Sequence, residues 1–268
     1  MSSTFLYGAN IHANAIRQHY LRYGGQGQPL VLIPGITSPA ITWEFVAERL
    51  GERFDTYVLD VRGRGLSETG AELDYGIDAC ADDIIAFTQA LGLDNYILAG
   101  HSMGARFGIR AAARGAPGLD KLVLIDPPVS GPGRREYPSK LPWYVDSIRD
   151  CLHGANLETL RKYCPTWSDE QLRLRAEWLH TCYEPAIIKS FEGFQEDDIH
   201  QDLATLDVST LLIVAGKGGV IQPVDEAEIR ELMPSIRIAH AANAGHMIPW
   251  DDLEGFFKAF GDFLGPRL

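Results

Sequence analysis

The residues best suited to chemistry lie in Gly100-His101-Ser102-Met103-Gly104. A short apolar run, Tyr96-Ile97-Leu98-Ala99, precedes them, and a helical pattern from Ala105 to Arg114 follows. A G-x-S-x-G pentapeptide between strand and helix is the form of a nucleophile elbow. The turn is so tight that the serine hydroxyl is pushed into open space, and small residues must flank it. A serine hydroxyl is a poor nucleophile until a base takes its proton. Of the eight histidines, His246 stands between the last strand pattern and the last helix, which is the expected place for that base. His101 is the rival, but it adjoins the serine and projects the wrong way from a tight turn, so it is expected to pack beside the elbow. His153, His180 and His200 fall among surface or packing positions. The imidazole in turn needs a carboxylate to fix its tautomer and stabilise the imidazolium. Asp126, at the end of an apolar strand, is read as that acid. Asp225 is the alternative, although with Glu228 it also fits a capping box at a helix start.

Two amide donors must meet the oxygen of a carbonyl as it turns tetrahedral. The amide of Met103, next to the nucleophile, is expected to be one. The amide of Ile36, after Pro34-Gly35, is expected to be the other, with Gly35 allowing close approach.

The elements that must position these groups are legible as alternating strands and helices. Strand patterns occupy Thr4 to Gly8, Ile16 to Tyr23, Pro29 to Ile33, Thr56 to Leu59, Tyr96 to Ala99, Lys121 to Ile125, Thr210 to Val214 and Arg237 to Ala241. Several are apolar on both faces, as strands of a buried parallel sheet are. Helices are expected around Thr42 to Leu50, Asp78 to Leu91, Glu226 to Met233 and Leu253 to Leu264. Such alternation predicts an α/β fold with a mostly parallel sheet and helices on both faces. Ligands then bind beyond the carboxyl ends of the strands, where Ile36, Ser102, Asp126 and the His246 loop all fall. Residues 129–205 lack buried strand patterns. Four helices are expected there, about Leu141 to His153, Leu157 to Tyr163, Ser168 to Cys182 and Glu184 to Phe194. The expected organisation is a core of residues 1–128 and 206–268 with a helical cap inserted at 129–205.

The totals narrow the function classes. A formal charge of -12 argues against nucleic acid and anionic membrane as partners, since both need positive patches. Any anionic substrate must then be met by locally placed cations. Cys80, Cys151, Cys164 and Cys182 show no C-x-x-C spacing and no zinc pattern, so free buried thiols and a cytoplasmic location are expected. Met1-Ser2-Ser3-Thr4 lacks a basic segment leading into an apolar run, so no signal peptide is expected. No apolar run approaches a membrane span.

Together these pieces resemble the α/β-hydrolase superfamily over nearly the whole chain. Asp60-Val61-Arg62-Gly63-Arg64-Gly65-Leu66-Ser67 matches its structural D-x-R-G-x-G-x-S loop. Pro34-Gly35 stands where members often have His-Gly. Many members carry the acid after the seventh strand in G-x-x-D-x-x-x-P. Here Gly216 to Pro223 puts Gly219 at the aspartate position, which favours Asp126. The resemblance is nearest to amide-cleaving deformylases of aerobic nicotinate breakdown. It implies attack by Ser102 on a formyl carbonyl, proton transfer through His246, Asp126 behind it, and no metal or organic cofactor. It also implies a small anionic substrate whose carboxylate cannot be buried unpaired. Arg106, Arg134, Arg135 and Lys189 are the candidate cations, with Thr37, Ser38 and Tyr137 as neutral donors. Trp143, Trp167 and Trp178 either shape the pocket or fill the cap's own core. Esterase, lactonase or carbon-carbon hydrolase activity on a ring-cleavage product stays open, as does a hydrolase-shaped ligand receptor. The oligomeric state is left open.

Overall fold

The computed structural model describes residues 3–265; the two residues that open the N-terminus, and residues 266–268 at the end of the expected core, lie outside the described range. The chain runs β1 (Phe5–Ala13), β2 (Ile16–Tyr23), β3 (Pro29–Ile33), α1 (Glu44–Gly51), β4 (Asp55–Leu59), α2 (Ile77–Ala90), β5 (Tyr96–His101), α3 (Met103–Ala113) and β6 (Leu119–Ile125). It continues through α4 (Leu141–Cys151), α5 (Leu157–Arg161), α6 (Asp169–Trp178), α7 (Glu184–Glu196) and α8 (Ile199–Leu203). It closes with β7 (Ser209–Ala215), α9 (Pro223–Leu232), β8 (Arg237–Ala241), α10 (Ile248–Asp251) and α11 (Leu253–Ala259). The eight strands form one sheet in the order β1-β2-β4-β3-β5-β6-β7-β8. β1 and β2 run antiparallel at one edge, and all pairings from β4 to β8 are parallel.

The apolar runs are buried on both faces because successive side chains of a strand point to opposite sides. Val31, Ile33 and Leu98 join one core, which includes Ile84 and Phe87 of α2 and Ile109 of α3. Leu30, Leu32, Ile97 and Ala99 join the other, with Val46 and Leu50 of α1 and Phe256 and Phe257 of α11. This two-sided burial fixes β3, β5 and β6 side by side and sets their carboxyl ends on one rim. All five helices from α4 to α8 lie between β6 and β7. Among the described residues, no helix is long and apolar enough to cross a membrane.

Several boundaries differ from the sequence expectation. β1 extends to Ala13 rather than Gly8, and Asn14 and Ala15 make its turn with φ of 50° and 60°. Exposed polar residues along this edge strand hid its length. The helix expected from Ser168 to Cys182 ends at Trp178 and continues as a 3₁₀ turn, Leu179–Thr181. α8 had no counterpart in the sequence reading, because one short turn shows too little periodicity. α9 starts at Pro223, so Asp225 is not the N-cap. Gln222 caps the helix and Asp225 is its third residue, so Asp225 closes a capping box with Gln222 instead of opening one with Glu228. The last helix stops at Ala259, before Gly261 with φ of 55°.

Candidate active site

Ser102 follows β5 directly with φ 53° and ψ -117°, a left-handed backbone that costs free energy for any residue but glycine. The surroundings hold it there. Its amide donates to Ile125 O at 2.9 Å. A Cβ on Gly100 would lie 2.4 Å from Gly104 O, and one on Gly104 would lie 2.2 Å from Ile33 O. Strand and helix approach too closely there for any other residue, which is the steric basis of the pentapeptide.

The other two groups reach Ser102 from distant chain. His246 Nε2 lies 3.0 Å from Ser102 Oγ, and His246 Nδ1 lies 2.7 Å from Asp126 Oδ2. Asp126 is 1% exposed and also sits at positive φ, 46°. Its amide donates to Ile213 O at 2.9 Å, and its Oδ1 accepts from the Ala215 amide at 3.1 Å. β7 therefore aims a carboxylate that β6 carries. Gly219 lies on the pocket wall, and an added Cβ there would meet nothing within 4 Å. Asp225 is engaged elsewhere: Arg135 donates to its Oδ2 at 2.6 Å and Gln222 N donates to the same oxygen at 2.8 Å.

His101 is wholly buried, with its ring 5.1 Å from that of His246 and 5.3 Å from that of Trp43. Burial, and then the neighbouring His246, push its pKa down to about 3, so the ring is neutral. Its Nε2–H donates to His246 O at 3.0 Å, while Nδ1 has no partner. A Cβ on Gly35 would lie 2.9 Å from that Nδ1. His101 thus fastens the loop that carries His246. Asp251 Oδ2, accepting from Gly245 N at 2.9 Å, and Lys217 N, donating to Ala244 O at 2.8 Å, fasten it further.

Ile36 lies in the turn after β3, and Met103 opens α3, where a helix leaves its first amides unpaired. Both residues line or border the cleft at Ser102 and are buried. Arg64 of the D-x-R-G-x-G-x-S loop ties them together. Its Nε donates to Ile36 O at 3.1 Å, and Nη2 lies 3.3 Å from Met103 Sδ and donates to Ser190 Oγ at 2.8 Å. The loop's Asp60 accepts from Ala40 N at 2.6 Å and Leu66 N at 3.0 Å. A loop read as structural therefore also holds the turn after β3 against the start of α3.

Above these groups is a cavity of about 450 Å³. Thr37, Ser38 and Tyr137 line it, as do Trp143 and Trp167. Tyr137 Oη is 3.1 Å from Tyr144 Oη and 3.4 Å from His246 Nε2. Burial raises both phenols' pKa values, so both remain protonated donors. Trp167 stacks on Trp250 at 5.3 Å and 9°, joining the insert to the helix after His246.

Four expected cations are not in this cavity. Arg106 is 1% exposed and spends both Nη groups on the carbonyls of Pro128, Ser130, Gly193 and Asp197. It ties the start of the insert to the end of α7, and neither Nη is left for a substrate. Arg134 pairs with Glu228 and Asp198, Arg135 with Asp225, and Lys189 with Glu192 and Glu196. Trp178 is also absent from the lining. The cavity arginine is Arg175, which the sequence reading missed. Its signal was an arginine three residues after Leu172 and four before Leu179, on the buried stripe of α6. The four cysteines are free and buried, as expected.

The arrangement can perform one kind of chemistry well. A hydroxyl bonded to an imidazole, itself bonded to a buried carboxylate, can attack an acyl carbon and relay its proton. Comparison with known proteins agrees. A family model described as the alpha/beta hydrolase fold matches residues 28–253. The chain is 71% identical over 266 residues, 99% of each chain, to an N-formylmaleamate deformylase of Pseudomonas putida. It superposes on the crystal structure of a serine-to-alanine variant of an N-formylmaleamic acid deformylase of Pseudomonas putida with TM-score 0.92 at 55% identity, covering 95% of this chain and 100% of that one. An E-2-(acetamidomethylene)succinate hydrolase shares the fold, with TM-score 0.80 at 22% identity over 97% of this chain and 99% of the other. From the parallel sheet, the elbow and these matches, the chain belongs to the α/β-hydrolase fold family.

Proposed function

We propose that the protein hydrolyses the N-formyl amide of N-formylmaleamate to maleamate and formate, with Ser102, His246 and Asp126 as its catalytic residues. The observation that carries this reading is 71% identity to an N-formylmaleamate deformylase over 99% of both chains. The hydrogen-bonded chain from Ser102 through His246 to Asp126 supports the mechanism.

Ser102 Oγ attacks the formyl carbon while its proton passes to His246 Nε2. Asp126 holds the imidazolium. The oxyanion is received by the amides of Ile36 and Met103. The carbon–nitrogen bond breaks as His246 returns the proton to the leaving nitrogen, and maleamate departs. That nitrogen also bears the maleamoyl carbonyl, which makes it a fair leaving group. Tyr137, beside His246 Nε2, is a neutral donor on that leaving side. Water then attacks the formyl-serine ester, His246 taking its proton, and Ser102 regains a proton as formate leaves. In this reading residues 129–205 are a cap whose aromatic residues close the cavity over Ser102. The substrate is a small anion, and the enzyme works in the cytoplasm without nucleic acid or membrane.

The test is turnover of N-formylmaleamate followed by proton NMR, with formate and maleamate appearing in equal amounts. Turnover of nitrophenyl esters or of a dienoate ketone, without formate release from N-formylmaleamate, would replace this reading by an esterase or carbon-carbon hydrolase.

A further inference from the structure

Three arginines are almost fully buried without a carboxylate partner among the described residues: Arg64, Arg106 and Arg175, at 1%, 1% and 4% exposure. A buried guanidinium without a counter-charge is costly unless its N–H groups are satisfied. Arg64 satisfies its own with the carbonyls of Ile36, Arg62 and Ala186 and the hydroxyl of Ser190. Arg106 places four of its five N–H groups on carbonyls.

Arg175 does not. Of the five N–H groups a guanidinium carries, it uses one on Thr37 O at 3.3 Å and one on Thr37 Oγ1 at 3.2 Å. Its Nε has no partner. Trp143 and Trp167 flank it, with ring centroids 5.7 and 5.6 Å from the guanidinium carbon. It also lines the cavity that holds Ser102. The cavity's one lining carboxylate among the described residues, Asp251, is bonded to Gly245 N. Glu44 and Glu170 line a smaller cavity that Arg175 also borders, and among the described residues neither forms an ion pair with it. The other cation on the lining, Lys217, is exposed, so water already satisfies it.

We infer that Arg175 is the receptor for a carboxylate on the substrate and the residue that selects an acid over its neutral analogues. The flat guanidinium, walled by two indoles, suits a planar carboxylate. Its two existing bonds fall on Thr37, the residue after Ile36. Carboxylate recognition and the oxyanion turn are therefore held by adjoining residues, Thr37 and Ile36, which fixes the distance between the substrate's charged end and its reacting carbonyl. This inference rests on the deformylase reading for the identity of the acid, but not for the site.

The experiment compares wild type, Arg175→Gln and Arg175→Lys on N-formylmaleamate and on its neutral methyl ester. It also measures inhibition by maleamate against the uncharged diamide. Removing one partner of a buried charge pair is expected to reduce the acid-to-ester preference in kcat/KM about 100-fold in Arg175→Gln, and to weaken maleamate inhibition comparably. Arg175→Lys keeps the charge but loses the fork, so it is expected to fall between. Equal losses on acid and ester, or unchanged maleamate inhibition, would make Arg175 a structural clasp. Should the variants not fold, a crystal structure of Ser102→Ala with N-formylmaleamate decides: the carboxylate within hydrogen-bonding distance of Arg175 supports the inference, and a carboxylate on Lys217 or in solvent overturns it. If wild type leaves N-formylmaleamate intact while maleamate still binds in an Arg175-dependent way, the deformylase reading fails and the receptor stands.

Discussion

At the sheet rim, Ser102 and Asp126 follow β5 and β6 without an intervening residue. Tyr137, Trp143, Trp167 and Arg175 reach the same cavity from an insert that contributes no strand to the sheet. The two regions solve different problems. On the rim, neighbouring strands fix the backbone, and both Ser102 and Asp126 are held at positive φ by hydrogen bonds to adjoining strands. Strain of that kind persists only where the surroundings over-determine the conformation. In the insert, position comes from side-chain packing: Tyr137 on Phe194, Trp167 on Trp250, Arg175 between two indoles. Rigid backbone suits groups that must hold bond-making geometry, while packed side chains suit groups that select what enters. Rim substitutions should therefore act on kcat for every substrate, and insert substitutions should change which substrate is preferred.

The largest break expected is at the nucleophile. Ser102→Ala should lower kcat by about four to six orders of magnitude with an unchanged melting temperature; activity within tenfold of wild type would remove Ser102 from the mechanism. Next comes the acid, where Asp126→Ala should cost about four orders of magnitude in kcat. Asp225→Ala serves as its control, because that carboxylate closes the capping box of α9 and pairs with Arg135. Comparable kcat losses in the two variants would move the acid to Asp225. Tyr137→Phe, a change in the insert, removes one neutral donor and should lower kcat/KM for N-formylmaleamate about tenfold while leaving the rate on a nitrophenyl ester within about twofold, read from steady-state rates on both substrates.

His101 gives a prediction for stability rather than rate. Its pKa is depressed by burial to about 3 from 6.5, so in that window the unfolded chain binds the extra proton. The associated stability is complete above about pH 6.5 and is lost as pH falls toward 3, by about 1.4 kcal/mol per unit. Denaturant titrations of His101→Gln from pH 6 to 4 should show a slope shallower than wild type by about that amount; parallel slopes would mean that His101 is protonated in the folded state. The smallest effect expected is Asp225→Ala on stability, about 1 kcal/mol for a lost cap contact, measured as a shift in the urea midpoint.

Much of this site is legible in the sequence. Gly100 to Gly104 fixes an elbow because only glycines fit where α3 meets β5. Apolar runs on both faces fix a buried parallel sheet, and a parallel sheet gathers its strand ends. Those local rules brought Ser102, Asp126 and His246 within reach of one another on paper, and their side chains lie at 2.7 and 3.0 Å. What local rules do not carry is which buried arginine keeps free donors. Arg106 and Arg175 both sit on helices with apolar neighbours, and neither sequence context separates them. Only the tertiary structure decides, because it presents four carbonyls to Arg106 and a single threonine to Arg175. The strand pattern depends on side-chain type, which the sequence contains. The satisfaction of a buried charge depends on which backbone carbonyls from other segments happen to face it, and that exists only once the chain has folded.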